Sequence, residues 1–161
     1  MFSHKEDGPF YEDFTEGAKL QHCGGRTTTD ADNIWFSLLT CNTNPIHINK
    51  EYAEANFSEP PFDGRLVVNS FLVLSTVIGL SVNETSKNGI MLGMSNLTVT
   101  NPTFAGDTIS AESEVIGKRE SNSHPSMGLV TVRTKGFKQG SVEVMKFERT
   151  FMVRRRHAKW K

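Results

Sequence analysis

The stretch at residues 66–82 constrains the fold most, because it is the longest part of the chain dominated by apolar side chains. Apolar residues cover almost every side of a helix drawn through it, which is typical of a helix buried on most of its surface. Polar side chains interrupt the run at Asn69, Ser70, Ser75, Thr76 and Ser81. It therefore falls short of the roughly 20 mostly apolar residues that cross a bilayer. We predict a central helix inside a folded domain.

Four segments after Lys87-Asn88-Gly89 alternate polar and apolar side chains and are rich in Thr, Val and Phe. This period of two is typical of strands with one buried face. The predicted strands cover residues 93–100, 107–118, 128–137 and 141–153. Lys138-Gln139-Gly140 fits a hairpin turn between the last two. One sheet beside one apolar helix predicts an α+β domain in which the antiparallel sheet wraps around the helix.

A further helix is predicted upstream, with a clear start signal. Thr29 is followed three residues later by Asp32, the pattern of a capping box. The helix, residues 31–40, places apolar side chains along one stripe, namely Ile34, Trp35, Leu38 and Leu39. Residues 19–28 before it are predicted as a strand. We assign residues 1–10 to a flexible N-terminus, 11–156 to a single domain and 157–161 to a basic C-terminal tail.

The charge balance argues against several classes of partner. The chain has 161 residues, with 18 Lys and Arg against 18 Asp and Glu. A net charge of zero provides no global attraction to nucleic acid or to a membrane, and it favours self-association. Cys23 and Cys41 form neither a disulfide framework nor a metal-ligand pattern, and the N-terminus has no apolar signal core. We therefore expect a cytoplasmic protein without a metal.

The sequence Asn42-Thr43-Asn44-Pro45-Ile46-His47 precedes a short helical pattern at residues 49–55. Imidazole titrates near neutral pH, so His47 suits general-base chemistry. Pro45 fixes a backbone angle just ahead of it, and the Asn42 amide precedes it by five residues. The alternative interpretation is that His47 merely caps the following helix. For a histidine taken by itself the capping interpretation is favoured, and the family motif described next favours catalysis instead.

Three segments together resemble the MaoC-like dehydratase family. Residues 42–47 resemble a hydratase signature of an acid, any residue, Asn-Pro, an aliphatic residue and His, with Asn42 in place of the acid. The other segments are Arg65-Leu66-Val67-Val68-Asn69-Ser70 and Asn101-Pro102-Thr103-Phe104-Ala105-Gly106-Asp107-Thr108. The resemblance implies a hot-dog fold, dimers or dimers of dimers, and activity on coenzyme A thioesters, often hydration of trans-2-enoyl-CoA to the (R)-3-hydroxyacyl product. Residues 35–45 look most similar to the branch that handles mesaconyl- or methylmalyl-type thioesters.

The resemblance also implies roles for individual residues. His47 would deprotonate the attacking water. Asn42 stands where the family has an aspartate acid, and an amide has no proton to exchange at ordinary pH. We expect the Asn42 carbonyl oxygen to hold the water while His47 returns the proton to the α-carbon. Ser75 matches a family serine near this pair and would orient the Asn42 amide; equally, its hydroxyl would bond its own helix.

Further residues are candidates for substrate binding. Asn69 and Ser70 replace the family's His-Gly at the start of the central helix, where free backbone N–H groups form a candidate oxyanion hole. Asn44 is included in the site, although its place before proline favours a turn role. Arg65, like Arg26, suits a carboxylate or phosphate, but either is more often an ordinary surface charge.

These observations favour a hydro-lyase acting on a short or branched enoyl-CoA. No cofactor is expected beyond the coenzyme A of the substrate, because the sequence has no dinucleotide or phosphate-loop motif. Two alternatives remain open at this point. One is a hot-dog acyl-CoA thioesterase, and the other is a non-catalytic acyl-CoA-binding or regulatory module, since Asn42 replaces the family's acid.

Overall fold

The computed structural model describes residues 7–157 and contains one antiparallel sheet with helices on one side. The long strands are β3 (Gly89–Val99), β4 (Thr108–Glu120), β5 (Met127–Lys138) and β6 (Val142–Arg154). Two short strands, β1 (Lys19–Gln21) and β2 (Arg26–Thr27), both pair with β4. The order across the sheet is β1-β4-β5-β6-β3, so β3 forms one edge. The four predicted strands are confirmed, while the predicted strand at 19–28 is split in two.

The central helix, α3 (Ser70–Thr85), packs against β4 and β5. Its buried side chains repeat with helical spacing and include Val73, Leu74 and Val77. These residues join Ile109 and Phe147 of the sheet in the main core. The helix begins at Ser70, not at residue 66, because Asn69 provides its N-cap.

The prediction that α3 is buried on most sides is wrong for the isolated chain. Phe71, Ser75 and Gly79 form an exposed stripe along the face opposite the core. The physical reason is that one layer of sheet covers only one face of a helix. The outer face of α3 is left open within this chain.

Two further helices precede α3, namely α1 (Asp30–Leu39) and α2 (Lys50–Asn56). The capping box at the start of α1 is confirmed, with reciprocal bonds between Thr29 and Asp32. The apolar stripe of α1 nevertheless faces outward: Trp35 is 65 % exposed and Leu39 is 77 % exposed. The residues that α1 buries are polar, Asn33 and Ser37. Because its polar side is the buried one, α1 places polar side chains beside the start of α3.

The N-terminal segment packs on the sheet through Tyr11. This ring lies so close to Gly128 that a Cβ there would come within 2.1 Å of it, so glycine is required. Part of the predicted flexible N-terminus lies outside the described residues, but Gly8 within it is buried. Of the predicted basic tail only His157 is described. Across residues 7–157, no helix is both long and apolar enough to span a membrane.

Candidate active site

The loop at residues 42–47 is shaped by two asparagine side chains. Asn42 Oδ1 accepts a hydrogen bond from the Asn44 N–H at 3.0 Å, and Asn44 Oδ1 accepts one from the Ile46 N–H at 3.2 Å. Asn44 thereby caps the one-turn 3-10 helix Pro45–His47, in which proline occupies the first position. Because a backbone N–H only donates, the oxygen of each amide must face the loop. The turn role predicted for Asn44 is confirmed.

His47 is half-buried, and within residues 7–157 its ring is hydrogen-bonded at one nitrogen. Nδ1 lies 2.8 Å from the backbone oxygen of Val67. A carbonyl oxygen only accepts, so Nδ1 carries the proton and Nε2 of the neutral ring has a free lone pair. The cap of α2 is Asn49, whose Oδ1 accepts from the Tyr52 N–H at 3.1 Å. The alternative in which His47 caps that helix is therefore wrong, and Nε2 has no hydrogen-bond partner among residues 7–157.

The start of α3 lies directly after the Val67 anchor. Asn69 is buried, and its Oδ1 accepts a hydrogen bond from the Phe71 N–H at 3.0 Å. The N–H groups of Leu72 and Val73 bond to the Asn69 carbonyl. The Ser70 N–H has no hydrogen-bond partner among residues 7–157. This donor, at the positive end of the helix dipole, is what an oxyanion hole requires.

A cavity of about 20 Å³ adjoins this helix start. Val67 and Ser70 line it on one side, and Val99, Asn101 and Met145 contribute to the other. A space of this size holds roughly one water molecule. The structure therefore places Ser70 and Val67, whose carbonyl accepts from His47, next to room for a small group.

Sequence reasoning missed two residues of α1 that support this region. Asn33 is 1 % exposed and hydrogen-bonds the backbone of three residues, His47, Val67 and Asn69. Ser37 is also buried; its carbonyl accepts from the Asn42 N–H at 2.8 Å, and its hydroxyl lies 3.5 Å from Asn69 Nδ2. The only signal in the sequence was their i, i+4 spacing on the side opposite the apolar stripe.

Two predicted site residues lie outside this group. Ser75 is on the exposed face of α3, and within residues 7–157 it makes no hydrogen bond to Asn42. The Arg65 guanidinium stacks on the Phe104 ring at 3.7 Å and lies 3.5 Å from Asp63. The catalytic role of Ser75 and the binding role of Arg65 stay predictions. Arg26 is already engaged by the Asp32 carboxylate in a bidentate pair.

A second polar cluster lies at the opposite end of α3. His22 Nδ1 is 3.0 Å from a Glu84 carboxylate oxygen, and Nε2 is 2.7 Å from the Ser113 hydroxyl. Burial lowers the pKa of His22, against the opposing effect of Glu84. Arg149 is buried nearby, and its burial lowers its pKa to about 10. In the described part of the chain, no group of three or more His, Cys, Asp or Glu side chains is arranged to hold a metal.

Comparison with known proteins shows the family. A family model described as mesaconyl-CoA hydratase matches residues 2–160. The chain is 33 % identical over 156 residues to a mesaconyl-CoA hydratase of Haloarcula marismortui, covering 94 % of this chain and 42 % of the relative. It is 29 % identical to a β-methylmalyl-CoA dehydratase of Chloroflexus aurantiacus, over 82 % of this chain and 36 % of the relative. The chain thus spans less than half the length of these relatives.

Further matches include a shorter relative and solved structures. An (R)-specific enoyl-CoA hydratase of Aeromonas caviae is 32 % identical over 65 % of this chain and 71 % of its own length. The MaoC-like dehydratase structure from Rhodospirillum rubrum superposes with a TM-score of 0.79 at 23 % identity, covering 94 % of this chain and all of that one. A double hot-dog protein from Mycobacterium tuberculosis reaches a TM-score of 0.84 at 21 % identity, over 98 % of this chain and 47 % of that one. The chain has a hot-dog fold and belongs to the mesaconyl-CoA hydratase family of MaoC-like dehydratases.

Proposed function

We propose that this chain is a hydro-lyase that adds water across, or eliminates it to form, the α,β-double bond of a short or branched enoyl-CoA. The observation that carries the proposal is the Nδ1–Val67 hydrogen bond of His47, which leaves Nε2 free as a base beside the start of α3. The names of the relatives support the same chemistry. Because the chain spans 42 % of the first of these relatives, the activity of the whole protein is part of the proposal.

The geometry supports a one-base mechanism. Nε2 of His47 takes a proton from water as the water oxygen bonds to the β-carbon, and the electrons of the double bond move to the thioester oxygen. The Ser70 N–H and the positive end of α3 stabilise that oxygen. The imidazolium then returns its proton from Nε2 to the α-carbon on the same face, and the thioester carbonyl re-forms. Nδ1 stays bonded to Val67 throughout.

The structure changes the proposed role of Asn42. Its carbonyl oxygen already accepts the Asn44 N–H, whereas its Nδ2 has no hydrogen-bond partner among residues 7–157. We therefore assign Asn42 as a donor to the oxygen of the attacking water. A donor there leaves one lone pair of the water for attack and directs a water proton toward His47. The aspartate found in the family would accept, not donate, when ionised.

Arg65 and Ser75 keep secondary places in the proposal. Arg65 lies two residues before Val67 and its guanidinium is half exposed, so it is available to a carboxylate or phosphate of the ligand. Ser75 lies on the open face of α3 and would meet a ligand only where that face is covered by a second unit.

The test is to incubate the purified protein with crotonyl-CoA and, separately, mesaconyl-CoA, and to analyse the thioesters by mass spectrometry. We expect a product heavier by one water with its thioester intact, and the (R)-enantiomer from crotonyl-CoA. Asn42→Ala should lower the rate, whereas His47→Ala should abolish it. Unchanged substrates with detectable binding would overturn the proposal in favour of a binding module, and restoration of activity by Asn42→Asp in an inactive protein would strengthen that outcome.

A thioesterase is the second candidate, because one observation favours it. Glu84, His22 and Ser113 are hydrogen-bonded in the acid–histidine–serine order of a hydrolase triad. Against it, Ser113 is buried within β4, and its hydroxyl also bonds Thr134 at 2.8 Å. Glu84 is hydrogen-bonded to His22 and lies in the last turn of α3, not near the start of the helix. Release of free coenzyme A that depends on Ser113 would favour this candidate.

We further propose that a second hot-dog unit, another copy of this chain in a homodimer or dimer of dimers, covers the exposed edge. Within residues 7–157 strand β3 pairs with β6 alone, and Ile90 and Leu92 on it are 60 % and 53 % exposed. A long apolar edge strand is an open template for pairing. Light scattering on the purified chain should give a dimer or tetramer, and Leu92→Lys should shift it toward monomer. A monomer at all concentrations would contradict this assembly.

A further inference from the structure

Asn33 connects three backbone segments of the candidate site. Its Nδ2 donates to the carbonyl of His47 at 2.9 Å and to that of Val67 at 3.0 Å. Its Oδ1 accepts the N–H of Asn69 at 2.8 Å. Both donors and the acceptor of one buried amide are therefore used, and all three bonds go to residues that carry or adjoin the reacting groups.

The Val67 carbonyl is the point where this network reaches the imidazole. It accepts from both Asn33 Nδ2 and His47 Nδ1. The ring orientation and tautomer of His47 therefore depend on a carbonyl whose position Asn33 fixes. The bond to the His47 carbonyl holds the backbone of the same residue, and the bond to the Asn69 N–H holds the turn from which Ser70 projects.

We propose that Asn33 is a positioning residue for the hydration, holding His47 Nε2 at a fixed place relative to the Ser70 N–H. This inference rests on the proposed function. Asn33 does not touch the reacting atoms; it acts through Val67, His47 and Asn69. The role requires an amide, because two donors and one acceptor are needed at once. A carboxylate of the same shape presents oxygens to two carbonyls, and an aliphatic side chain satisfies none of the three groups.

Ser37 completes the same face of α1. Its carbonyl holds the Asn42 N–H, and its hydroxyl is the acceptor nearest to Asn69 Nδ2. One helix thus places both the proposed donor loop and the base. This arrangement explains why α1 buries its polar side and leaves its apolar stripe outside.

The experiment compares Asn33→Asp and Asn33→Leu with Thr134→Val. Thr134 is fully buried and hydrogen-bonded to Ser113, but it has no bond to His47, Val67 or Asn69. Thermal unfolding is measured for all three, followed by steady-state kinetics with crotonyl-CoA at a temperature where each is folded. Both Asn33 variants should lose about 100-fold in kcat with a smaller change in KM, as expected for a displaced base. Thr134→Val should lose stability without this loss in kcat.

A second readout does not depend on activity. Nitrogen NMR of the imidazole of His47 reports which ring nitrogen carries the proton. The wild-type chain and Thr134→Val should show the Nδ1–H tautomer, and the Asn33 variants a mixture with Nε2–H. An unchanged tautomer together with an unchanged kcat would overturn the inference. If the wild-type chain hydrates neither substrate, the proposed function fails, and the tautomer alone then decides whether Asn33 orients His47.

Discussion

Helix α3 has a polar cluster at each end, and the two clusters differ in how they hold their histidine. The start cluster consists of Asn33, Ser37, His47 and Asn69. The end cluster consists of His22, Ser81, Glu84, Thr85, Ser113, Thr134 and Arg149. Both contain one histidine. The comparison therefore isolates what makes a histidine available for chemistry.

The difference lies in the ring nitrogens. Both nitrogens of His22 are bonded, Nδ1 to Glu84 and Nε2 to Ser113, so its ring is held on both sides. In the described part of the chain, His47 is bonded through Nδ1 and its Nε2 has no hydrogen-bond partner. A shifted pKa is a common pointer to function, yet here the histidine whose pKa is lowered by burial is the one with no open nitrogen.

The clusters also differ in charge. The start cluster uses the neutral amides of Asn33 and Asn69, which bond backbone groups and introduce no buried charge. The end cluster contains the Arg149 guanidinium, 2 % exposed, bonded by Nη2 to the hydroxyls of Ser81 and Thr85. Its Nε is buried without a partner among the described residues. A buried cation is costly unless paired. Replacing Arg149 by an uncharged residue would remove this cost.

The largest stability effect is expected from His22→Ala. It removes one of the two partners of the buried Ser113 hydroxyl and leaves the Glu84 carboxylate without the His22 ring that bonds it. The free energy of unfolding should fall by about 1–3 kcal/mol. Chemical denaturation followed by circular dichroism measures this. An unchanged free energy of unfolding would contradict the structural role assigned to the end cluster.

Loss of the α3 cap should show whether the start cluster contributes to hydration as well as to stability. Asn69→Ala removes the N-cap of α3 and should destabilise the protein by about 1 kcal/mol, and it should also slow hydration because Ser70 shifts. Thr29→Ala, at the capping box of α1, is the matched control. It should lower stability similarly with a smaller effect on rate. Equal rates for both variants would show that the α3 cap does not place the oxyanion donor.

A smaller effect is expected from pH. Because burial lowers the pKa of His22, the unfolded chain binds this proton at a higher pH than the folded protein does. The stability from His22 is therefore complete above the unfolded pKa of about 6.5 and is lost as the pH falls below it. Unfolding free energies measured between about pH 8 and pH 5 should fall more steeply in the wild type than in His22→Gln. Parallel curves would contradict the burial of a neutral His22.

The smallest effect is expected from Arg149→Met. The Ser81 and Thr85 hydroxyls keep their bonds to the carbonyls of Ile78 and Ser81. Methionine removes a buried charge while keeping much of the volume, so stability should change by less than about 1 kcal/mol or increase. Thermal unfolding tests this. A large loss would show that the cation is needed in the end cluster.

The elements of this structure that the sequence predicts are those set by local pattern. The long strands, α3 and the capping box at Thr29 follow from period, composition and local spacing, and each is present. The motif at residues 42–47 predicted the turn role of Asn44 from local chemistry, and that turn is present. These features depend on residues close to one another in the chain.

Asn33 was not predictable in this way. Its three hydrogen bonds reach residues 14, 34 and 36 positions away, and no local pattern encodes such contacts. The orientation of α1 was missed for a related reason. An apolar stripe indicates that a face is covered, but not whether the cover comes from the same chain. Here Trp35 and Leu39 remain exposed, and the polar side is buried.

The most direct test measures kcat/KM for hydration of crotonyl-CoA and mesaconyl-CoA by His47→Ala and His22→Ala, side by side and corrected for the folded fraction. On this account, His47→Ala loses at least about 100-fold, while His22→Ala stays within about threefold of the wild type. The opposite result, an active His47→Ala and an inactive but folded His22→Ala, would contradict it. The catalytic centre would then lie at the other end of α3.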